Sequence, residues 1–435
     1  QSSFTLASTF SIMTSLYPSH HGMKTVFLDT LPDNVLTLAQ ALKNNNYNTF
    51  FVGPTQDNQL PLDKGFERGF DEIIQSEDGS GWQEGVDRMN KNTSLNKKTF
   101  LVLHTYAVHD PYVTGYTKHP YTSDNYPDIA LTSDEYFAFT DDFYKMALKE
   151  FQERIAASDT PESKQYNREI YQNLIGAKTL KDAETYFVSL PEYEKYSLYF
   201  NRYFAHIDKN DPKQVAYIRA LYDERIKQLD ERMSGLLRLL STQEVSRKTM
   251  VVITADHGEE FMEHGNFVHG INAYNTVTTV PLIVMLPDRK KITITSPVQN
   301  IDIFPSILDA LGIPPSKQAE GKSFIPLAGG NPNIADWINV LIHKDCPIKE
   351  FKNIRAARCA DWGLYENTDT GVTELYDLRA DPGELINVAD KHTDIVTRLR
   401  NVIHQKLDTG AKNPPAFPPW LDEKKRKKII NEGYF

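Results

Sequence analysis

Acidic and imidazole side chains gather directly after one apolar segment of the chain. Residues 249–254 (TMVVIT) are followed by Asp256 and His257, with His264 and His269 a little further on. A carboxylate oxygen and an imidazole nitrogen placed side by side can bind one divalent cation. The alternative is that Asp256 caps the next helix and His257 is a polar surface residue. The local density of histidines, in a chain with only 12, favours a reactive site.

A second polar cluster follows another apolar segment. Residues 99–104 (TFLVLH) precede His109 and Asp110. In parallel α/β sheets the reactive site lies outside the carboxyl ends of the strands. We therefore expect 99–104 and 249–254 to be buried parallel strands of one sheet, with both polar clusters at a common cleft. His104 itself, at the end of its strand, is equally well explained as a hydrogen-bonded core residue.

The elements that would position these residues alternate between strand and helix. Residues 215–240 carry apolar side chains at helical spacing between the two apolar segments, so the order strand, helix, strand predicts a right-handed parallel crossover. The same patterns predict strands at 49–52 and 281–286 and packed helices at 35–42 and 303–311. The predicted fold class is α/β, with a large, mostly parallel sheet sandwiched by helices.

The composition excludes several classes of protein. The 435 residues, 40% hydrophobic and 24% charged, are enough for a large α/β domain and a smaller one. A net charge of -10 repels a phosphate backbone, so no nucleic-acid partner is expected. No segment approaches the roughly 20 consecutive apolar residues of a membrane-spanning helix, so the chain as given is not expected to be an integral membrane protein. The two cysteines leave the compartment open, and the oligomeric state is also open.

Two regions interrupt the alternation of strands and helices. Residues 121–212 are rich in aromatic and charged side chains and are predicted to form a helical insertion near the site. Their large amphipathic rings suit stacking on a sugar or aryl group, so we expect the insertion to select the substrate. In residues 331–435, a strand at 373–378 and a turn at 381–383 indicate a smaller C-terminal α+β subdomain with a tail.

Several segments match, in order, those of one known family. They are TLASTFSIMTSLYPSHHG, LPDNVLTLAQALKNNNYNTFFVG, GFERGFD, the HDPY cluster, ITADHGEEFMEHGNFVHGINAY with VPLIVMLP, NIDIFPSILDALGI and ELYDLRADPGELINVAD. With these motifs the chain resembles the sulfatase family of the alkaline phosphatase superfamily, over nearly its whole length apart from the insertion and the tail. The resemblance implies an alkaline phosphatase-like fold, with a catalytic domain at 1–330 that contains the insertion at 121–212, and a C-terminal subdomain and tail at 331–435.

The resemblance also implies roles for the site residues. The family nucleophile stands 13 positions before the proline of a Tyr-Pro pair, which places it at Thr5 in this chain. Asp256 and His257 match metal-binding positions of the family. His109 and His269 match positions that bind the tetrahedral anion, and His269 could also protonate the leaving oxygen.

The remaining polar residues of these segments receive structural interpretations. Glu259 and Glu260 are most simply explained as the acidic first turn of a helix. His264 precedes a glycine in a polar loop, where a histidine is more often a turn residue or a support for a ligand than a ligand itself. His20 and His21 follow the Tyr-Pro turn and are assigned structural roles.

The chain departs from the family pattern at two places. Sulfatases carry a cysteine or serine for conversion to formylglycine where this chain has Thr5, whereas related phosphatases and phosphonate or phosphodiester hydrolases use threonine directly. The family's first strand, which supplies two further metal-binding aspartates, is not among these 435 residues. We expect the chain to be part of a longer protein, and the alternative is a degenerate homologue with an incomplete metal site.

The expected function is that of a metal-dependent hydrolase that cleaves sulfate or phosphate esters through an activated nucleophile and a covalent intermediate. The alternatives are a phosphatase, phosphodiesterase or phosphonate hydrolase that uses Thr5 directly, or a non-catalytic binding member of the family. One divalent metal ion is implied, calcium in the first place, with manganese, magnesium or zinc as alternatives. The expected partner is a small-molecule sulfate or phosphate ester of a sugar or an aryl alcohol.

Overall fold

The chain forms two compact units. The first contains the described residues of Gln1–Tyr106 and Arg232–Leu421, and the second those of Ala107–Glu231. The computed structural model describes residues 2–23, 30–54, 60, 62–76, 81–110, 112, 138–158, 161–190, 195, 198–199, 202, 204, 207–241, 247–287, 291–329, 339–342 and 353–407.

The first unit combines strands and helices. Its strands are β1 (Tyr47–Gly53), β2 (Glu72–Gln75), β3 (Lys98–Leu103), β4 (Val251–Thr254), β5 (Glu260–Phe261), β6 (Phe267–Val268), β7 (Leu282–Met285), β8 (Asn339–Ile342), β9 (Ile354–Arg358), β10 (Trp362–Asn367) and β11 (Thr373–Asp377). Its helices are α1 (Thr5–Thr14), α2 (Pro18–His21), α3 (Leu38–Lys43), α4 (Trp82–Ser94), α9 (Asn275–Thr278), α10 (Ile303–Ala310) and α11 (Thr393–Leu407), with 3-10 turns at Leu62–Lys64, Asn300–Asp302, Ile325–Gly329 and Ala389–Lys391. The second unit contains α5 (Asp141–Ala157), α6 (Pro161–Ile175), α7 (Leu180–Val188) and most of α8 (Pro212–Ser241).

A parallel sheet in the first unit has β1 at its centre. β1 pairs in parallel with β2 on one edge and with β3 on the other. The last five residues of β1 are buried, and they are mostly aromatic and β-branched side chains that pack well on a pleated surface. The strand predicted at 49–52 therefore exists, and the α/β fold class with parallel strands is confirmed.

The strand that precedes Asp256 pairs differently from the prediction. β4 pairs antiparallel with β7, and Val251 lies opposite Met285. Among the described residues, β3 pairs only with β1 and β4 pairs only with β7, so one parallel sheet containing both 99–104 and 249–254 is not observed there. Both strands are also partly exposed rather than buried, as expected of strands that each have one edge without a described neighbour.

Helix α1 packs into a large apolar core of the first unit. Its residues Leu6, Phe10 and Met13 are buried and pack with side chains of β1, α3 and α10. Burying a large apolar side chain contributes about 1.5–3 kcal/mol each, so these contacts hold the helix firmly. The helix ends at Ser15, whose backbone has φ 59° and donates from its N–H to the Ser11 carbonyl. Thr5, the first residue of this helix, is thereby attached to a rigid element.

The C-terminal part of the first unit is an antiparallel sheet covered by a helix. Its strand order is β11-β10-β9-β8, and α11 packs on it through Val396, Leu399 and Ile403. The predicted strand at 373–378 corresponds to β11. In the predicted turn, the Asp381 carboxylate accepts hydrogen bonds from two backbone N–H groups that follow it. The C-terminal α+β subdomain is therefore present.

The second unit is helical, and aromatic side chains make up much of its core. Phe143, Phe151 and Phe187 are each no more than 1% exposed, and Phe187 lies 5.2 Å from the Phe143 ring in an edge-to-face arrangement. The aromatic richness of 121–212 is thus explained in the described part by packing between helices. These three rings are buried in the core, and the selection of substrates by residues 121–212 stays a prediction.

In the part of the chain that the structure describes, no helix is both long and apolar enough to cross a membrane. The longest, α8, carries charged residues throughout.

Candidate active site

The segment after β4 is held against α9 by close backbone contacts. Gly258 donates from its N–H to the Val277 carbonyl at 2.9 Å, and Glu259 donates to the Thr276 carbonyl at 3.1 Å. A Cβ atom at position 258 would lie 2.1 Å from the Thr276 carbonyl oxygen. Only glycine fits this approach, so the sequence Asp-His-Gly places His257 immediately beside a fixed point of the backbone.

Thr5, Asp256 and His257 meet at the start of α1. Oγ1 of Thr5 lies 3.2 Å from Nε2 of His257, and Nε2 lies 3.5 Å from Oδ2 of Asp256. Nδ1 of His257 donates to the Gly258 carbonyl at 2.9 Å, which directs Nε2 towards the threonine and the carboxylate. Thr5 is only 2% exposed, so a hydroxyl, an imidazole nitrogen and a carboxylate oxygen converge at a largely enclosed point.

The backbone of Asp256 is fixed from two other elements. Ser8, one turn along α1, donates from Oγ to the Asp256 carbonyl at 2.5 Å. Asn300 donates from Nδ2 to the same carbonyl at 3.3 Å and to the Ala255 carbonyl at 3.2 Å. These residues come from distant parts of the sequence, and together they hold the end of β4 against the start of α1.

The pKa values of Asp256 and His257 are both low. Burial raises the pKa of the Asp256 carboxyl, but the positive charges of His257, His104 and His269 and a hydrogen bond from Thr5 outweigh it and lower the pKa to about 2. Burial of the His257 ring, reinforced by His269, outweighs the attraction of Asp256 and lowers the pKa of His257 to about 4. At neutral pH the pair therefore presents an ionised carboxylate and a neutral imidazole, which are the forms that bind metals.

His269 lies beside His257 and contacts a carboxylate. The two imidazole rings have centroids 4.0 Å apart, with an angle of 31° between their planes. Nδ1 of His269 lies 2.9 Å from Oε1 of Glu259, and the two side chains are 11% and 6% exposed. The structure therefore brings four of the five predicted site residues together in the first unit: Thr5, Asp256, His257 and His269.

His109, the fifth predicted site residue, belongs to the second unit. There its Nδ1 lies 3.1 Å from Oδ1 of Asp110 and 2.7 Å from the Asp110 carbonyl oxygen. The neighbouring carboxylate can fix the orientation of the ring. The role of His109 in binding an anion stays a prediction.

Two residues next to the site have roles different from those predicted. Glu259 and Glu260 do not begin a helix: Glu260 starts β5, which pairs with β6, and Glu259 contacts His269. Glu260 is 1% exposed and accepts hydrogen bonds from the His264 backbone and the Asn272 side chain. The interpretation of this pair as a helical first turn was therefore wrong, because the following residues form a hairpin.

The other histidines of these motifs are supporting residues in the structure. His264 stacks on Tyr274 with ring centroids 3.8 Å apart, and burial lowers its pKa. His20 and His21 are 1% and 0% exposed; Nδ1 of His20 contacts Glu320 at 2.5 Å, and Nε2 of His21 lies 3.1 Å from Oγ of Ser11. The structural roles assigned to the last two agree with these contacts.

Four contributors to the site were missed by reasoning from the sequence alone. Ser8 and Asn300 hold the Asp256 backbone, and Glu259 contacts His269. His104 follows β3, and its positive charge contributes to lowering the pKa of the Asp256 carboxyl that follows β4. The position of His104 at a strand end was the one signal that could have identified it.

The side chains at the start of α1 could supply some of the ligands of a metal ion. Asp256, His257 and Thr5 offer a carboxylate oxygen, an imidazole nitrogen with a low pKa and a hydroxyl oxygen at neighbouring positions. Oxygen-binding divalent cations commonly take six or more ligands, so these residues would be a part of the coordination shell. The chemistry of the donors is compatible with a hard or borderline divalent ion.

Comparison with known proteins establishes the family. The sequence model described as sulfatase matches residues 2–313, which is most of the chain. The chain belongs to the sulfatase family. A second model, described as N-sulphoglucosamine sulphohydrolase, C-terminal, matches residues 262–412 and includes the antiparallel sheet of β8 to β11. The family lies in the alkaline phosphatase superfamily and is metal-dependent.

Curated relatives share part of this sequence. Arylsulfatase K of Homo sapiens is 30% identical over 205 residues, which cover 45% of this chain and 38% of that protein. Arylsulfatase K of Gallus gallus is 31% identical over 206 residues, covering 44% of this chain and 37% of that protein. The matched part thus spans well under half the length of these relatives.

Solved structures share the fold over nearly the whole chain. One, described as a protein in complex with its substrate D-glucosamine-2-N,6-O-disulfate, has a TM-score of 0.63 at 19% identity and covers 95% of this chain and 90% of its own. The phosphonate monoester hydrolase of Silicibacter pomeroyi has a TM-score of 0.59 at 16% identity, covering 94% and 86%. At these identities the likeness establishes the alkaline phosphatase-like fold.

Proposed function

We propose that this protein hydrolyses sulfate or phosphate esters, with Thr5 as the nucleophile. The observation that carries the proposal is the convergence of the Thr5 hydroxyl, the His257 Nε2 atom and the Asp256 carboxylate. Membership of the sulfatase family supports the reaction class, and the curated relatives are named arylsulfatases.

The position of Thr5 suits attack on a tetrahedral anion. Thr5 is the first residue of α1, and Phe4, which precedes it, makes no side-chain cap. The N-terminus of a helix directs backbone N–H groups and a partial positive charge at anions. An ester oxyanion bound there would place its phosphorus or sulfur atom next to the Thr5 hydroxyl.

Asp256 and His257 would hold one divalent cation, with calcium as the first choice and manganese, magnesium or zinc as alternatives. When bound, such an ion neutralises charge on the ester and makes a nearby hydroxyl more acidic. The Asp256 carboxylate and the neutral His257 ring also orient the Thr5 hydroxyl, because both lie within or close to hydrogen-bonding distance of it.

The reaction then divides into two displacements. The Thr5 hydroxyl releases its proton to solvent as its oxygen forms a bond to phosphorus or sulfur and the bond to the ester oxygen breaks. The leaving oxygen takes a proton that we assign to His269, which then regains one from solvent. Water then breaks the bond to Thr5, releasing the inorganic anion and restoring the hydroxyl. His109 is proposed to bind the anion's oxygens.

Threonine at the nucleophile position bears on the choice of substrate. A threonine hydroxyl cannot become formylglycine, so direct attack favours phosphate or phosphonate esters over sulfate esters. The leaving group is proposed to be a sugar or an aryl alcohol. A non-catalytic binding member of the family is the second candidate, because among the described residues the contacts at Asp256 and His257 join one carboxylate, one imidazole and one hydroxyl, fewer than a full coordination shell.

Turnover of chromogenic esters by the full-length protein tests the function. Nitrophenyl sulfate, nitrophenyl phosphate and nitrophenyl phenylphosphonate should be assayed with and without added calcium, manganese, magnesium or zinc. Thr5→Ala should abolish turnover. Thr14→Ala, the same change at the other end of α1, should leave turnover intact and cost only the hydrogen bonds of its hydroxyl with the Phe10 carbonyl and the Leu16 N–H, worth about 1 kcal/mol each. Turnover that survives Thr5→Ala would exclude Thr5 as the nucleophile, and metal binding without any turnover would favour the binding candidate.

A further inference from the structure

We propose that Glu259 is a positioning residue for His269. The Glu259 carboxylate accepts a hydrogen bond from Nδ1 of His269, so that Nε2 of the same ring carries the proton that is given to the leaving oxygen. The proposal rests on the proposed ester hydrolysis, because that function gives His269 its role. The sequence motif that contains Asp256 and His257 does not by itself indicate a role for Glu259 in the reaction.

The hairpin of β5 and β6 places these two side chains opposite each other. Glu260 pairs with Val268, and Phe261 pairs with Phe267, so continuing the antiparallel register by one residue brings Glu259 opposite His269. Side chains on directly opposed residues of antiparallel strands lie about 4.5–5.5 Å apart at Cβ, close enough for a direct contact. The contact between Nδ1 and Oε1 at 2.9 Å is therefore a consequence of strand register.

Glu259 is itself held by the backbone on the other side. Its N–H donates to the Thr276 carbonyl, and the preceding glycine donates to the Val277 carbonyl. Its side chain is 6% exposed, so water competes poorly for the hydrogen bond with His269. A short, shielded contact from an anchored residue can orient an imidazole ring.

The His269 ring is constrained on a second side by His257. The ring centroids lie 4.0 Å apart, and His257 is fixed in turn by the hydrogen bond from its Nδ1 to the Gly258 carbonyl. Val268, immediately before His269, has φ 65°, a conformation that a β-branched residue rarely adopts. The fold therefore maintains an unfavourable backbone conformation directly beside the ring that Glu259 orients.

A carboxylate at Nδ1 determines which nitrogen exchanges the catalytic proton. Neutral imidazole can carry its proton on either nitrogen, and the hydrogen bond made by one nitrogen selects the tautomer. Because the Glu259 carboxylate can only accept, it keeps the proton on Nδ1. The nitrogen at the opposite side of the ring, Nε2, then gains and loses the proton that passes to the leaving oxygen.

The experiment compares Glu259→Ala and Glu259→Gln in the full-length protein. Removing a partner that orients a metal-ligating histidine typically costs about 10–100-fold in activity, and we expect Glu259→Ala to lose a factor of about that size in kcat with little change in KM. Glu259→Gln should recover most of the loss, because its amide oxygen can still accept from Nδ1. Glu263→Gln is the matched control, since Glu263 lies in the same hairpin and accepts instead from the Phe261 N–H.

A nuclear magnetic resonance measurement of the ring nitrogens separates positioning from general structural damage. Nitrogen-15 spectra of the metal-free protein, assigned with a His269→Asn variant, should show the Nδ1–H tautomer in the unmodified protein and in Glu259→Gln. Glu259→Ala should shift His269 towards the Nε2–H tautomer. Glu259→Gln changes neither the size nor the shape of the side chain, so it keeps the comparison informative if the alanine variant folds poorly.

Three results would overturn the proposal: an unchanged tautomer in Glu259→Ala, an unchanged kcat in that variant, or equal losses of kcat in the alanine and glutamine variants. Absence of turnover by the unmodified protein would contradict the proposed function instead. In that event the tautomer measurement still decides whether Glu259 orients His269.

Discussion

Hydrogen bonds to the backbone fix the positions of single residues at the candidate active site. Gly258 separates the candidate metal residues from Glu259, and its N–H is bonded to the Val277 carbonyl. Asp256 is held through its carbonyl by Ser8 and Asn300. A reactive group positioned in this way loses little entropy when substrate binds, which is the physical value of preorganisation.

Gly258→Ala should destabilise the protein, because its Cβ would lie 2.1 Å from the Thr276 carbonyl oxygen. Overpacking of this kind costs about 1–3 kcal/mol. Gly235→Ala is the control, since Gly235 lies in α8 with no atom within 4 Å of the added Cβ, and alanine there should stabilise the helix by about 0.5–1 kcal/mol. Urea unfolding measures both, and a Gly258→Ala variant as stable as Gly235→Ala would contradict the close approach.

The buried carboxyl of Asp302 should make stability depend on pH. Burial raises its pKa to about 6, although the N–H groups of Lys322 and Gln299 donate to it and partly offset this. Between its unfolded pKa near 4 and its folded pKa near 6, the folded protein binds a proton that the unfolded chain releases. The stability contributed by the protonated form is thus fully present below the lower value and is lost as pH rises through about 6.

Comparison with Asp302→Asn isolates this effect, because asparagine does not titrate. When the pH falls from 7 to 4.5, the free energy of unfolding of the unmodified protein should rise relative to that of the variant by up to roughly 2–3 kcal/mol. The size follows because one pKa unit corresponds to about 1.4 kcal/mol. Urea unfolding at the two pH values measures the shift. An identical difference between the two proteins at both pH values would disprove the raised pKa.

At the scale of elements, the helices of the second unit depend on an aromatic core. Phe187 in α7 is 1% exposed and contacts the rings of Phe139, Phe143 and Tyr199. These edge-to-face and tilted contacts add to the burial of apolar area. The core joins α5 and α7, so its loss should be felt by both helices.

Phe187→Ala should therefore lower the free energy of unfolding of the second unit by about 3–5 kcal/mol. The neighbouring Val188→Ala is the matched control, because Val188 is 61% exposed and its truncation should stay within about 0.5 kcal/mol. Hydrogen exchange of the backbone amides in α5 and α7 measures the stability of the second unit directly. Equal protection of those amides in both variants would show that the ring is not part of a cooperative core.

At the scale of the first unit as a whole, a buried glutamate connects the C-terminal sheet to the segment after the site. Glu384 has a fully buried side chain that accepts hydrogen bonds from the Asn275 N–H and the Tyr365 hydroxyl, both at 2.7 Å. Arg358 of β9 lies 3.1 Å from the same carboxylate. Asn275 begins α9, whose residues accept the hydrogen bonds of Gly258 and Glu259.

Glu384→Ala should destabilise the first unit by about 3–5 kcal/mol, because it leaves the partly buried Arg358 without its carboxylate. Glu384→Gln should cost less, since its amide keeps an acceptor for Tyr365 or Asn275. Urea unfolding gives the free energies, and hydrogen exchange at the Asn275 amide tests the connection to α9. Unaltered exchange at that amide in Glu384→Ala would show that the sheet does not hold this segment.

The sequence by itself determined the local features of this protein. The pattern of Asp256, His257 and His269 after an apolar segment indicated a reactive site, and ordered motifs along the chain indicated the family. The helices predicted at 215–240 and 303–311 are present within a few residues. These features are readable because helical periodicity and motif spacing are local properties of a chain.

Only the tertiary structure decided which distant residues meet. The pairing of β4 with β7, the contact of Glu259 with His269 and the approach of His104 to Asp256 depend on strand register and on how elements pack. An edge of a strand can pair with many partners of similar local sequence, and shifting the register by one residue turns every side chain to the other face. The choice among them is made by the free energy of the whole fold, which no single segment contains.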